Sequence, residues 1–341
     1  MSSPIIIAEI GINHNGSLKT AKKMVKAAKD SGVDIVKFQT FVAEDNISRY
    51  AEKAPYQKEN TGSDESQLEL VKPYELTEDE FIQIYEYCKS LDIGFLSTAF
   101  DINALSFLDG FEMPFIKIPS GELTNLLLLH EMGKRNRKVL LSTGMSNIYE
   151  IEEAIRILID AGQERDKITV LQCTSEYPTP DGNINLKSMI TMAERFNLPY
   201  GLSDHTLGIT APIAAAVMGA SVIEKHITLD KTLPGPDHKA SINLDELKEM
   251  CIEVRRVIDM LGSGKKVVTE EEHRTRLVAR KSIVASRNLK SGDKLDSKDI
   301  AIKRPGNGIS AIFALDIIGS VLKRNILEDE VILNSDIDKE L

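Results

Sequence analysis

The sequence contains no Trp, only three Cys, and no long apolar run. Cys88, Cys173 and Cys251 lie far apart, which suits neither a disulfide framework nor a zinc cluster, so they read as reduced thiols. No stretch approaches the roughly 18 apolar residues of a membrane helix. The first residues, Met1 to Ile7, lack the basic and long apolar regions of a signal peptide. The expectation is a cytoplasmic protein with no membrane partner. No G-x-G-x-x-G and no G-x-x-x-x-G-K-[ST] occurs, which sets aside dinucleotide-binding and P-loop readings.

Basic charge is also in short supply. Lys and Arg number 42 against 52 Asp and Glu, a formal charge of −10. Proteins that bind nucleic acid broadly concentrate Lys and Arg to displace phosphate counterions, so no nucleic-acid partner is expected. Residues 280–341 carry 11 basic and 10 acidic groups, which leaves 31 basic against 42 acidic in the first 279. Any anionic ligand is therefore held by a few local groups rather than by a basic surface.

What the sequence does have is rhythm. Short apolar, β-branched runs alternate with longer amphipathic segments, the pattern of a parallel sheet with crossover helices. Eight candidate strands follow one another: Ile5 to Ala8, Ile35 to Phe38, Gly94 to Ser97, Phe115 to Ile118, Val139 to Leu141, Thr169 to Gln172, Tyr200 to Leu202 and Val222 to Glu224. Between them, Ser17 to Asp30 and Asn147 to Ala161 repeat apolar residues at helical spacing, with Ser17 and Asn147 as N-caps and Gly32 and Gly162 as terminators. Eight such units predict an α/β fold, a closed (β/α)8 TIM barrel, over residues 1–261. Tyr50 to Gln67 is polar and reads as a long loop over the barrel mouth, before a helix from Glu78 to Leu91. Glycine and charge between 262 and 281 read as a linker. Residues 282–341 change to short pieces and predict a small, mostly β domain.

In such barrels the chemistry sits where the strands end. The polar residues closing the runs are Glu9; Lys37 and Gln39; Thr98; Lys117 and Ser120; Ser142 and Thr143; Thr174 and Ser175; Ser203, Asp204 and His205; and His226. A single strand-end Ser or Thr is ordinarily a turn residue; one or more on every strand is harder to dismiss. Lys37 and Lys117, with the hydroxyls of Thr98, Ser120 and Ser142, suit a carboxylate or phosphate. Lys37 also reads as a barrel lysine paired with Glu9. His205 and His226 close neighbouring strands, and two neutral imidazoles suit a divalent ion that keeps positions open for substrate; each alone reads equally as a structural histidine. Pro234-Gly235-Pro236-Asp237-His238 presents Asp237 on the loop after the eighth strand, or is an ordinary surface turn.

Taken in order, these residues resemble a known family. The motifs are Glu9-Ile10-Gly11-Ile12-Asn13-His14-Asn15-Gly16, Val36-Lys37-Phe38-Gln39-Thr40-Phe41, Ile116-Lys117-Ile118-Pro119-Ser120-Gly121-Glu122, Leu141-Ser142-Thr143-Gly144-Met145, Tyr177-Pro178-Thr179-Pro180, Leu202-Ser203-Asp204-His205-Thr206, Glu224-Lys225-His226, Gly235-Pro236-Asp237-His238-Lys239-Ala240-Ser241 and Lys303-Arg304-Pro305-Gly306-Asn307-Gly308. They resemble the sialic acid synthases, which include N-acetylneuraminate synthases and their N,N'-diacetyllegionaminate relatives.

The resemblance implies a TIM barrel joined to an antifreeze-like (SAF, β-clip) domain, and a domain-swapped homodimer. It implies condensation of phosphoenolpyruvate with N-acetylmannosamine and water to give a nine-carbon sugar acid and phosphate. It assigns Mn2+, or Mg2+ or Co2+, to His205 and His226, and proton handling to Glu9. Phosphoenolpyruvate would be held by Lys37, Thr98, Lys117, Ser120, Ser142, Ser175 and Ser203. Gln39, Tyr177 and Asp237 would contact the sugar, and Arg304 would reach its N-acetyl group from the other subunit. Two departures stand out: Ser175-Glu176 where some members carry Asn, and Thr98-Ala99-Phe100 in place of Thr-Pro-Phe.

The alternative acceptor is 2,4-diacetamido-2,4,6-trideoxymannose, which would make the chain an N,N'-diacetyllegionaminate synthase. More remote are a non-catalytic carbohydrate-binding or antifreeze-like protein, which has no use for lysines and a histidine pair, and a heptulosonate-type synthase, which leaves the Arg304 motif unexplained.

Overall fold

Apolar β-branched runs separated by amphipathic helices bury both faces of a parallel sheet, and here the sheet closes on itself. A computed structural model of the chain describes residues 3–53, 57 and 65–339. Among them, eight parallel strands form a closed barrel in chain order: β1 (Ile5–Gly11), β2 (Ile35–Thr40), β3 (Gly94–Ala99), β4 (Ile116–Ile118), β5 (Val139–Ser142), β6 (Ile168–Cys173), β7 (Tyr200–Asp204) and β8 (Val222–His226). β8 returns to β1, with Glu9 opposite His226 on one side and opposite Lys37 on the other. Thr98 faces Lys117, and Ser203 faces Glu224. The pairing register thus sets the polar strand ends side by side.

The helices form as their sequence dictates. Ser17 caps Leu18–Ser31 by accepting from the Thr20 amide, and Gly32 ends the helix at φ 88°, where a side chain would be strained. Its buried face, Ala21, Met24, Val25 and Ala28, packs into the main core. Asn147 and Glu150 form a reciprocal capping box for Ile148–Asp160, which buries Ile151, Ala154, Ile155 and Leu158. Each buried Val, Ile, Leu or Met among these contributes about 1.5–3 kcal/mol by leaving water. The long β2–β3 connection holds helices Ala43–Asn46, Gln67–Val71 and Glu78–Ser90. Of the loop expected there, residues 54–56 and 58–64 lie outside the described residues.

Two units are distinguished, Met1–Gly262 and Ser263–Leu341. The stretch expected to be a plain linker carries a helix, Glu270–Ala279. Thr269 and Glu272 supply a capping box, a signal present in the sequence, and the helix buries no residue, which is why its polar composition reads as a linker. The second unit has one antiparallel ladder, β9 (Ser282–Ala285) with β10 (Ile300–Lys303). Elsewhere in this unit the short apolar pieces at Val321 and Val331 make isolated bridges, to Lys294 and Val284. Ile283, Leu289, Leu295, Ile317, Leu322 and Ile332 are part of its own small core. Among the described residues no helix is long and apolar enough to cross a membrane.

Candidate active site

A cavity of about 420 Å³ opens at the C-terminal ends of the barrel strands. Its floor is a buried charge cluster. Lys37 Nζ lies 2.8 Å from Glu9 Oε2, 3.7 Å from Glu224 Oε1 and 3.2 Å from Thr98 Oγ1. Lys117 Nζ donates to Ser142 Oγ at 2.6 Å and lies 3.9 Å from Glu224 Oε1. The paired-lysine reading of Lys37 and the anion-pocket reading therefore describe one arrangement. Burial pushes the Glu9 carboxyl up to about 7, against the pull of Lys37 and with added repulsion from Glu224. Burial also opposes ionisation of Glu224, but the Lys117 and Lys37 charges outweigh it and hold this carboxyl below its usual range. For Lys37, Glu224 and Glu9 outweigh burial and keep the ammonium charged, whereas burial prevails at Lys117 and lowers it. One carboxylate is thus firmly ionised while the other is poised to exchange a proton near neutrality.

Gln39 Nε2 donates to Glu9 Oε1 at 3.0 Å and fixes the carboxyl from the cavity side. Gly11 stands beside it at φ 54°, where a Cβ would come within 3.1 Å of Glu9 Oε1 and 3.3 Å of Gln39 Nε2. On the opposite side of the cavity, Ser120 Oγ accepts from the Gly144 amide at 2.9 Å. A Cβ on Gly144 would lie 2.2 Å from Ser175 Oγ and 2.7 Å from Ser120 Oγ, so only glycine lets these two hydroxyls share the rim. Lys37, Thr98, Lys117, Ser120, Ser142, Ser175 and Ser203 all line the one cavity. The hydroxyl of Ser203 is already committed, donating to Glu224 Oε1 at 2.9 Å.

The imidazoles of His205 and His226 face the same cavity with ring centroids 5.2 Å apart. The Tyr177 ring lies 4.0 Å from His205 and 5.6 Å from His226, centroid to centroid. His205 Nδ1 is 2.7 Å from the Thr174 carbonyl, which can only accept, so this nitrogen carries the hydrogen and Nε2 is the ring atom left for a ligand or a proton. Burial opposes the charged form, but Cys173, the Thr174 carbonyl and Asp204 outweigh it and raise this imidazole above its usual value. His226 Nδ1 is buried without a hydrogen-bond partner, 3.9 Å from Asp237 Oδ2. Burial, reinforced by His205 and nearby lysines, holds His226 well below its usual value, so it is neutral. Burial raises Asp237 to about 6 against the pull of His205. Two nitrogens of this kind suit a divalent ion that draws its remaining ligands from water and substrate. Among the described residues no group of three His, Cys, Asp or Glu side chains forms a fuller cage.

Several functional contacts escape a reading by strand ends. Glu224 is the clearest: it stands two residues before His226, so strand alternation puts both on the barrel's inner face, while Lys225 between them pairs with Asp204 at 2.6 Å, fully buried. Asn13 Nδ2 donates to the Ile227 carbonyl and to Ser241 Oγ, both at 2.8 Å, and Asn15 Oδ1 meets His238 Nε2 at 3.0 Å. The Asn13-His14-Asn15 motif thus ties the loop after β1 to the loop that carries Asp237. Cys173, anticipated only as a reduced thiol, lines the cavity with Sγ 3.9 Å from His205 Nδ1. Arg304 belongs to the second unit, where its Nε donates to the Ala279 carbonyl at 3.0 Å.

A lysine and hydroxyl pocket beside an imidazole pair lies at the mouth of a (β/α)8 barrel, and comparison with known proteins gives the class of protein that carries it. Residues 24–266 match the NeuB family and residues 280–338 match the SAF domain. The chain belongs to the NeuB family, the sialic acid synthase family that its motifs resemble, and is a phosphoenolpyruvate-dependent transferase that forms carbon–carbon bonds. It is 45% identical to N,N'-diacetyllegionaminic acid synthase of Campylobacter jejuni, over 97% of this chain and 99% of the relative. It is 43% identical to the Legionella pneumophila enzyme of the same name, over 94% and 91%. The crystal structure of N-acetylneuraminic acid (sialic acid) synthetase from Leptospira borgpetersenii superposes with a TM-score of 0.69 at 32% identity, over 80% of this chain and 90% of that one.

Proposed function

We propose that this chain condenses phosphoenolpyruvate with 2,4-diacetamido-2,4,6-trideoxymannose and water to give N,N'-diacetyllegionaminate and inorganic phosphate. The sequence motifs put N-acetylmannosamine first as acceptor. The relatives at 45% and 43% identity, both named for the legionaminate product, move the preference to the diacetamido sugar. The observation that carries the reaction type is the union in one cavity of two buried lysines, a proton-poised Glu9 and a paired, neutral-capable imidazole site.

The residues divide the work accordingly. Lys37 and Lys117, with Thr98, Ser120, Ser142, Ser175 and Ser203, hold the carboxylate and phosphate of phosphoenolpyruvate through charge-assisted hydrogen bonds. Gln39, Tyr177 and Asp237 position the open-chain sugar, its aldehyde toward His205 and His226. His205 and His226 would hold a divalent ion, which would supply Lewis acidity to that aldehyde. The enol π pair at carbon 3 forms the new bond to the aldehyde carbon, whose oxygen takes up a proton. Water bonds to carbon 2 and gives up a proton, and phosphate then departs. Glu9 is the group poised to carry such a proton, because its carboxyl titrates near the working pH. The family resemblance adds a domain-swapped homodimer to the proposal, with Arg304 from the second subunit meeting the N-acetyl group.

The test is phosphate release with phosphoenolpyruvate, Mn2+ and a panel of N-acetylated hexoses. Fastest release with the diacetamido sugar is expected. Faster release with N-acetylmannosamine would return the acceptor to the motif-based reading, and no release with any sugar would overturn the reaction.

A further inference from the structure

Strand alternation points Ser203, Glu224 and His226 into the cavity and turns Asp204 and Lys225 outward, toward the surrounding helices. On that outer side the Lys225 ammonium meets Asp204 Oδ2 at 2.6 Å, both side chains fully buried. Lys225 Nζ also donates to the Thr206 carbonyl. Asp204 in turn accepts from the Thr206 amide at 2.9 Å and from Thr206 Oγ1 at 3.1 Å. The residue between Asp204 and Thr206 is His205, and the residue after Lys225 is His226. One ammonium, beside one imidazole in the chain, therefore grips both neighbours of the other imidazole.

The two histidines are otherwise anchored to different elements. His226 lies opposite Glu9 of β1, and its carbonyl accepts from the Ile242 amide at 3.0 Å. His205 is held through Nδ1 by the Thr174 carbonyl, and its own carbonyl accepts from the Thr179 amide at 2.9 Å. Among the described residues the β7–β8 ladder ends at Asp204 opposite Lys225. The last tie across these two strands before the rings is thus the Lys225 grip. Stability is a weak reason for a buried ion pair there, because desolvation of the two charges offsets much of their attraction and apolar residues of similar volume often serve a fold equally well. What the ammonium adds is direction: its N–H groups hold a carboxylate and a carbonyl at fixed places.

We propose that Lys225, with Asp204 and Thr206, is a positioning clamp that sets the spacing of the His205 and His226 imidazoles for a divalent ion. The inference rests on the proposed metal site and deepens it. Among the described residues no group of three His, Cys, Asp or Glu side chains forms a cage, so the spacing of these two nitrogens is what the chain contributes to the ion's geometry.

Asp204→Leu/Lys225→Met removes both charges and fills their space with hydrocarbon, and is expected to melt close to the parent. Calorimetry with Mn2+ alone, without substrates, is expected to show binding about 10–100-fold weaker than in the parent, as for loss of an outer partner of a metal ligand. Raised Mn2+ should recover phosphate release, with the KM for phosphoenolpyruvate unchanged, because Lys37 and Lys117 stand on β2 and β4. Should the double variant fail to fold, Thr206→Val takes its place: it spares the ion pair and is expected to weaken Mn2+ binding by a smaller factor. Parent-like Mn2+ affinity in the variant overturns the inference and leaves the metal site standing. Weaker Mn2+ binding accompanied by a raised KM for phosphoenolpyruvate means general loosening of the barrel mouth and also overturns it. No Mn2+ binding by the parent overturns both the clamp and the metal site.

Discussion

Glu224 Oε1 lies 3.7 Å from the Lys37 ammonium and 3.9 Å from that of Lys117, and this carboxylate is the firmly ionised partner of both buried lysines. Under the proposed function, an arriving phosphate would take over part of that role. Glu224→Gln keeps the shape and removes the charge, leaving Lys37 and Lys117 to face one another in a buried site. Breaking a buried ion pair from one side costs about 3–5 kcal/mol. The variant is expected to melt earlier than the parent without ligand, and to gain more than the parent when phosphoenolpyruvate is added. Thermal melts of both proteins with and without phosphoenolpyruvate check this; equal ligand-induced shifts would contradict it.

Glu9 gives the pH profile its sign. Its carboxyl is protonated below about 7 and ionised above. If the ionised form accepts the proton, kcat rises with pH by about tenfold per unit below that midpoint and levels off above it. Glu9→Gln should lose most activity and the rising limb together. A variant that retained the parent's kcat would remove Glu9 from the chemistry.

The imidazole pair predicts metal dependence. Chelation should abolish phosphate release, and Mn2+ should restore it. His226→Ala is expected to weaken Mn2+ binding, measured by calorimetry, by more than the roughly 10–100-fold typical of an outer partner of a metal ligand. Unchanged Mn2+ affinity in that variant would place the ion elsewhere.

Asn13 acts at a distance from the reacting atoms. Its amide holds the Ile227 carbonyl and Ser241 Oγ, and Ser241 in turn donates to the Asp237 carbonyl at 2.7 Å. Asn13→Ala leaves buried acceptors unmatched, at about 1–3 kcal/mol. Alongside a lower Tm, the sugar KM should rise more than kcat falls, because the loop presenting Asp237 loosens. A fall in kcat with an unchanged sugar KM would mean that the tie serves the chemistry and not the acceptor.

How far the sequence anticipates this site depends on what each residue's signal is made of. The strands and the barrel follow from periodicity, and the strand-end rule picks out Lys37, Lys117, His205 and His226 because each stands at or near the C-terminal end of an apolar run. Glu224 was equally legible as the last residue of the run Val222 to Glu224, two before His226 and so on the same face, but nothing local in the sequence says which lysines a lone carboxylate there will meet. The helix Glu270–Ala279 escaped because it has no apolar face, although its capping box is written in Thr269 and Glu272. Phe41 and Phe100 look like ordinary core residues in sequence. Only the folded β2–β3 connection shows that they line a cavity together with Val71, some thirty residues from each. Fastening contacts such as Asn13 to Ser241 span 228 residues, and nothing local announces them.

The most direct test of the account is the mass of the product formed from phosphoenolpyruvate, 2,4-diacetamido-2,4,6-trideoxymannose and Mn2+. The predicted result is one nine-carbon acid whose mass is that of the sugar plus phosphoenolpyruvate plus water less phosphoric acid, formed in equal amount to released phosphate. Unchanged phosphoenolpyruvate, with no such acid from this sugar or from N-acetylmannosamine, would contradict it.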